Sequence, residues 1–292
     1  MRCFTKRIHP LLIVFILFLL CAVAWAVAEL SGQANKSAAD AGMASADMEM
    51  ASLETISKPE KNPPNVNWGQ ERRLRKELEK QDNAYKGIAA KAQRQASSPN
   101  GVDEPTAKAL RASAEKFKNT SEQYAVVWEK GKCISRARLA RETGESRVAS
   151  AEVIIAGADS EKIDALNEQQ SKLNDARQAY IQEAKENDEI SDKDKAAMKA
   201  NLTPKAEKLV SETGDLVMKV TSLLNDVRSQ ISPAGLVGGL GGCAASATSG
   251  TAGDPSDSVA QLLSPVTSLL SLTKGLAGNA TSLLSDLNML TN

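Results

Sequence analysis

The chain has 292 residues with 36 basic and 36 acidic side chains, so its net charge of zero excludes a role as a bulk polyelectrolyte. Aromatic residues make up only 3% of the chain, and beyond residue 28 all of them fall between Trp68 and Tyr180. A chain poor in aromatics and rich in Ala, Leu, Glu, Lys and Gln favours helices over sheets. We therefore predict an all-α protein whose large side chains are concentrated in its central region.

Residues 1–28 have the composition of a secretory signal peptide. Three cations precede an unbroken apolar run from Leu11 to Ala28. The run ends in Ala26-Val27-Ala28, and these small residues predict cleavage by a signal peptidase before Glu29. The run also reaches the lower length limit for a membrane-spanning helix, so an uncleaved N-terminal membrane anchor is the alternative. Both interpretations place the rest of the chain outside the cytoplasm, either periplasmic, secreted or N-terminally membrane-anchored.

The segment that follows, residues 29–66, is rich in Ala, Ser and Met and shows no periodicity. It closes on a proline-containing stretch from Lys58 to Pro64. Such a composition predicts a disordered spacer between the export segment and a folded domain.

Residues 67–232 carry apolar stripes at helical spacing and predict a helical bundle domain. A first helix is expected from about Asn67 to Gln95, and Asp103 is a candidate N-cap for a second. The second stripe includes Phe117, Tyr124 and Trp128. Two short-looped helices of this kind should pack as an antiparallel hairpin, with the aromatic stripe as core rather than as a ligand site.

Two further features of this domain concern its charge and its last helix. Residues 68–141 hold 17 basic against 9 acidic side chains, whereas residues 142–200 hold 8 against 14. We expect basic helices to fold back on acidic ones and cancel most of the surplus; the alternative is a basic surface for anionic lipid, glycan or nucleic acid. A long stripe runs to Ile231, and Pro204 is expected to kink or restart that helix.

The C-terminal part divides into a linker and a leucine-rich segment. Residues 233–255 are rich in Gly, Ala, Ser and Thr and predict a flexible linker. Residues 256–292 carry heptad spacing, while Pro265, Gly275 and Gly278 favour two shorter amphipathic helices over one rod. Their apolar face needs a partner: the bundle, which we favour, a second copy of the chain, or a membrane surface. This candidate interaction face consists of Val259, Leu262, Val266, Leu269, Leu276, Leu283, Leu287 and Leu290.

The sequence contains no recognisable catalytic apparatus. Its only histidine, His9, lies in the export segment, which excludes histidine-based triads, zinc motifs and imidazole acid/base chemistry in the mature chain. We predict no catalytic, cofactor-binding or metal-binding residue. Cys133 and Cys243 are the only cysteines beyond residue 28, and in an oxidising compartment they form a candidate disulfide. Such a bridge closes a loop of about a hundred residues, which corresponds to ~4.7 kcal/mol in the chain-entropy description.

One short motif carries a resemblance. Arg72-Arg73-Leu74-Arg75, downstream of the export segment, matches the Arg-x-Leu-Arg tag and in this resembles host-targeted oomycete effectors. The resemblance covers four residues and implies a secreted helical effector.

The composition, export segment and leucine-rich stripe together predict an exported, non-enzymatic α-helical scaffold or interaction protein of the periplasm or cell envelope. Its partner is expected to be a protein or a second copy of the chain, with a membrane surface as a further possibility and no nucleic acid. The alternatives are a membrane-active protein acting through its C-terminal helices, and the secreted effector.

Overall fold

The computed structural model describes the backbone of residues 10–98, 100–187, 190–231 and 255–291, and within these ranges the side chains of residues 25–230 and 261–290. Every regular element in these ranges is a helix, which confirms the all-α fold class. The helices are α1 (Pro10–Glu54), α2 (Trp68–Ala96), α3 (Glu104–Lys130), α4 (Ile134–Ala156), α5 (Ser160–Glu186), α6 (Asp192–Ile231) and α7 (Pro255–Thr291).

The helices form a bundle around α1. Helix α1 packs against α2, α4, α5, α6 and α7, and α3 lies outside α2 and α4. Around this axis, α2 neighbours α3, α3 neighbours α4, α4 neighbours α5, and α5 is followed by α7 and then α6. Each helix runs antiparallel to the one before it. This includes α2 and α3, for which an antiparallel hairpin was predicted. Between α2 and α6 the packing around α1 is open.

The predicted disordered spacer is wrong for most of its length, because residues 29–54 continue α1 and are its most buried part. Ala34, Ala38 and Ala46 are fully buried. Alanine is the best helix former, and a helix of small side chains can be enclosed on many sides without showing one apolar stripe. At Gly42 a Cβ atom would lie 2.6 Å from Cγ1 of Ile154 and 2.9 Å from the carbonyl oxygen of Ser150, so α4 packs directly on the α1 backbone.

The N-cap predicted at Asp103 is confirmed, and a second aspartate caps the start of α5 in the same way. Asp103 accepts a hydrogen bond from the backbone N–H of Thr106 at 2.7 Å. Asp159 accepts from the backbone N–H groups of Glu161 and Lys162. These carboxylates satisfy donors that the first turn of a helix leaves without intrahelical partners.

The last two helices do not break at their prolines, so the restart expected at Pro204 and the two shorter helices expected at the C-terminus are wrong. Helix α6 continues through Pro204, and α7 is one helix through Pro265 rather than two shorter ones. They pack along each other over most of their length, so tertiary burial on both sides of each proline outweighs the lost hydrogen bond. The predicted linker at 233–255 lies outside the described residues except for Pro255.

The core differs between the two ends of the bundle. The aliphatic end is built from Leu, Ile, Val and Ala of α1, α5, α6 and α7, and it includes Leu30, Ile163, Leu223, Leu269 and Leu276. The aromatic end surrounds the last turns of α1, and it includes Met48, Phe117, Tyr124, Trp128 and Tyr180. Across the part of the chain whose side chains are described, no helix is long and apolar enough to cross a bilayer.

Candidate functional site

The predicted leucine-rich interaction face is part of the core. Its members in α7 pack on α1, α5 and α6, which is the burial that we favoured among the three possibilities. The described part of the face, apart from half-buried Leu262, is therefore not exposed to a protein partner or a membrane. Val266, Leu269, Leu276, Leu283, Leu287 and Leu290 are buried and Leu262 is half-buried, while the side chain of Val259 lies outside the described residues.

The candidate disulfide stays a prediction. Cys133 is buried at the start of α4, where its Sγ donates to the carbonyl oxygen of Gly131 at 3.6 Å. Cys243 lies outside the described residues.

A buried carboxylate, Glu49 of α1, is the centre of a polar cluster that sequence reasoning missed. Its Oε1 accepts hydrogen bonds from the hydroxyls of Ser45, Ser146 and Ser150 at 3.0, 2.8 and 2.6 Å. Its Oε2 accepts from Nε of Arg147 at 2.5 Å. Burial raises the pKa of Glu49, although Arg147 and the serine hydroxyls act in the opposite direction.

Arg147 of α4 is fully buried between two rings and two carboxylates. Its guanidinium carbon lies 4.5 Å from the ring centre of Tyr85 and 4.2 Å from that of Phe117. Its Nη1 is 2.8 Å from Oδ1 of Asp82 in α2. Burial alone lowers the pKa of Arg147, but Glu49 and Asp82 outweigh this and raise it overall. The cluster is closed to solvent, so its serines and carboxylates are not accessible to a substrate.

Two further buried arginines join distant helices. Arg177 of α5 donates to Asp286 of α7 at 3.1 Å and to Ser52 of α1 at 3.3 Å, and burial lowers its pKa against the opposing effect of Asp286. Arg136 of α4 lies between the rings of Trp128 and Tyr180, with its guanidinium carbon 5.5 and 5.0 Å from their centres. Through these contacts, Arg136 and Arg177 link neighbouring helices of the bundle to one another.

The gap between α2 and α6 forms an open cleft with α1 as its floor. It comprises two adjoining recesses of about 490 and 410 Å³, which share Met50, Glu54, Glu79 and Lys205. Lys205 of α6 reaches across to Glu54 at 2.5 Å, and Lys86 of α2 contacts Asp47 of α1 at 2.6 Å. The cleft therefore has an apolar floor, charged walls and access to solvent, which suits binding more than catalysis.

The expected cancellation of basic and acidic segments occurs at the contact of α3 with α4. Lys118 pairs with Glu145 at 2.9 Å, and Arg111 pairs with Glu152 at 2.7 Å. The outer face of α2 does not follow this pattern, since its cations Arg72 and Lys76 are exposed and have no such acidic helix opposite them.

The Arg-x-Leu-Arg motif lies in the first turns of α2. Leu74 is buried, and Arg75 donates to the carbonyl oxygen of Ile56 at 2.9 Å and to the hydroxyl of Tyr124 at 3.0 Å. Arg75 also pairs with Glu71 at 2.8 Å. Two of its four residues therefore serve the packing of the bundle.

Comparison with protein-family models, curated proteins and solved structures finds no match for this chain. Among the described residues, no group of three or more His, Cys, Asp or Glu side chains is arranged to hold a metal ion.

Proposed function

We propose that this chain is an exported, non-enzymatic α-helical interaction protein of the periplasm or cell envelope, and that it binds a protein partner in the cleft between α2 and α6. The observation that carries the proposal is the cleft itself, in which Asp47 and Glu54 of α1 are only half-buried. The same helix is covered by α4, α5 and α7 elsewhere. A partner segment in the cleft would cover the half-buried carboxylates of Asp47 and Glu54.

The dimensions and chemistry of the cleft suit a helix or an extended segment of another protein. Helix α6 lines it from Asp194 to Glu212, which corresponds to about 27 Å along a helix axis. Met50, Leu202 and Leu209 line its floor and walls, and each is at most 6% exposed. An apolar floor with charged rims is the usual chemistry of a groove that takes an amphipathic segment.

The absence of enzymatic activity remains part of the proposal. The mature chain contains no histidine, and the polar clusters around Glu49 and Arg177 are buried and occupied by contacts within the chain. Burial of the leucine-rich face also removes the observation on which membrane activity was based, because α7 would have to leave the bundle to expose it.

Export is tested by the mature N-terminus and its cell fraction. We expect mass spectrometry of the chain recovered from its native cells to find a first residue at Glu29, in an extracytoplasmic fraction. Intact chain beginning at Met1 in the soluble cytoplasmic fraction would overturn this part of the proposal.

The cleft is tested by photo-crosslinking in living cells. A photoreactive residue at Asn83, on the α2 wall, or at Asn201, on the α6 wall, should crosslink to the same partner protein. The same probe at Asn119 or Gln123, exposed on the outside of α3, is the matched control. Different adducts from the two walls, or the same adduct from α3, would contradict the assignment of the cleft.

A further inference from the structure

The outer face of α2 carries a row of cations. With 3.6 residues per turn, six basic side chains of α2 fall within an arc of about 100° and extend for about 33 Å along the helix. All six side chains are exposed. This basic row consists of Arg72, Arg73, Lys76, Lys80, Lys91 and Arg94.

The basic row is not neutralised within the chain. Lys91 lies 3.8 Å from a carboxylate oxygen of Asp103. The other five cations form no ion pair with any residue that the structure describes. The carboxylate of Glu79 lies at the edge of the arc, and that of Glu77 lies close enough to Lys80 to interact with it electrostatically. Five unpaired cations on one face attract an anion more strongly than scattered ones, because their potentials add.

We infer that the basic row on α2 binds a linear acidic polysaccharide. The inference goes beyond the proposed cleft and uses the outer face of α2, which adjoins the cleft at Asn83 and Glu79. Arg72, Lys76 and Lys80 follow one another at about 6 Å along the helix axis, so a chain that carries regularly repeated anionic groups can contact them in succession. Polyanion binding of this kind is electrostatic and weakens as salt rises.

The surroundings of the basic row favour a narrow polymer over a planar membrane. On one side lies the cleft, with the carboxylates of Asp47 and Glu79 on its walls. On the other side, α3 exposes Glu115 and Glu122. A planar anionic bilayer would approach these carboxylates together with the cations, whereas a chain lying along one helix avoids them.

The side chains between the cations also disfavour a nucleic acid. Recognition of single strands commonly adds stacking of bases on aromatic side chains to the attraction of the backbone. Besides its cations the arc contains Gly69, Asn83, Gly87 and Ala90, and no aromatic side chain. This surface supplies charge alone, which matches a polymer without aromatic groups.

The test compares two fourfold charge reversals in the chain purified from the cells that export it. The first variant combines Arg72→Glu, Arg73→Glu, Lys76→Glu and Lys80→Glu. The control combines Lys108→Glu, Arg138→Glu, Lys193→Glu and Lys219→Glu, which are exposed cations on other helices. Both change the net charge equally, so a difference between them reports on position.

Binding is measured with polygalacturonate at low and at physiological salt. We expect the α2 variant to bind about a hundredfold more weakly than the unmodified chain and the control to change by a few-fold. Equal losses in both variants would overturn the inference. If the α2 variant has lost its helical circular dichroism, the same four positions changed to Gln should still reproduce a selective loss.

Two other probes identify the source of the anionic groups. Phosphatidylglycerol vesicles and single-stranded DNA are titrated under the same conditions as polygalacturonate. The inference requires the polysaccharide to bind more tightly than either. Tighter binding of the vesicles or of the DNA, lost in the α2 variant, would reassign the surface to that partner.

Discussion

The aliphatic and aromatic ends of the bundle solve the same packing problem in different ways. At the aliphatic end, α1, α5, α6 and α7 meet through Leu, Ile, Val and Ala side chains. At the aromatic end, α1 meets its neighbours through rings, and the buried arginines Arg136 and Arg147 lie between them. One helix, α1, therefore passes from an apolar environment to a polar one.

This difference has consequences for stability and for where a binding site can lie. Apolar burial is non-directional, so the aliphatic end tolerates small adjustments of its helices. A buried guanidinium requires defined acceptors, and Arg147 meets this with Glu49 and Asp82. The aromatic end is thus fixed by directional contacts, and the cleft between α2 and α6 lies beside it. A rigid wall favours binding because fewer side chains and loops lose conformational freedom when a partner binds.

The largest effect is expected from Arg147→Met. The substitution leaves the carboxylates of Glu49 and Asp82 buried without their cation, and breaking a buried pair in this way destabilises by about 3–5 kcal/mol. Urea unfolding followed by circular dichroism measures the change. Adding Glu49→Gln to Arg147→Met should restore part of the stability because it removes one uncompensated charge. A double variant that is as unstable as the sum of the two single variants would show that the residues do not interact.

A smaller effect is expected from Leu276→Ala at the aliphatic end. Leu276 is fully buried between α7 and its neighbours, and truncation of such a side chain destabilises by about 3 kcal/mol through lost burial and a remaining cavity. Leu263→Ala is the control, because Leu263 is only half-buried on the same helix. Equal unfolding midpoints for the two variants would mean that α7 does not pack as described.

The contrast between the two ends also explains what the sequence could predict. The stripes of large apolar residues, such as the one with Phe117 and Trp128, were correctly predicted to lie in the core. Their apolar positions recur at helical spacing and stand out from the polar residues between them. The N-cap at Asp103 was predicted because its effect is local. Residues 29–54 were misassigned since alanine and serine give little contrast, and only the surrounding helices show that this segment is enclosed.

The polar contacts between helices were beyond prediction for a different reason. Glu49 and Arg147 are 98 positions apart and look like ordinary surface residues of two helices. Ser146 and Ser150 are separated by one helical turn, and such a pair is common on exposed faces. The cleft likewise exists because α2 and α6 do not pack against each other. This is a property of the tertiary arrangement, and no local sequence pattern predicts it.

The third prediction compares two buried tyrosines, Tyr180 at the aromatic end and Tyr85 in α2. The hydroxyl of Tyr180 contacts the backbone N–H of Ser57 at 3.1 Å and the carbonyl oxygen of Thr55 at 3.0 Å. The buried hydroxyl of Tyr85 has no hydrogen-bond partner among the described residues. Tyr180→Phe should therefore destabilise by about 1–3 kcal/mol, whereas Tyr85→Phe should be neutral or slightly stabilising. If urea unfolding showed the same loss of stability for both variants, the difference in hydrogen bonding between the two hydroxyls would be contradicted.

The smallest effect concerns the pH dependence of the α3 N-cap. Hydrogen bonds from Thr106 and Gln95 lower the pKa of Asp103 from 3.8 to about 2. A carboxylate with a lowered pKa in the folded state stabilises above its unfolded value, and this stabilisation is lost as the pH falls from about 4 towards 2. Asp103→Asn keeps an N-capping side chain but does not titrate. The difference in unfolding free energy between the two proteins should thus shrink or reverse between pH 5 and about pH 2. A difference that stays constant over this range would show that the cap carboxylate does not contribute through its charge.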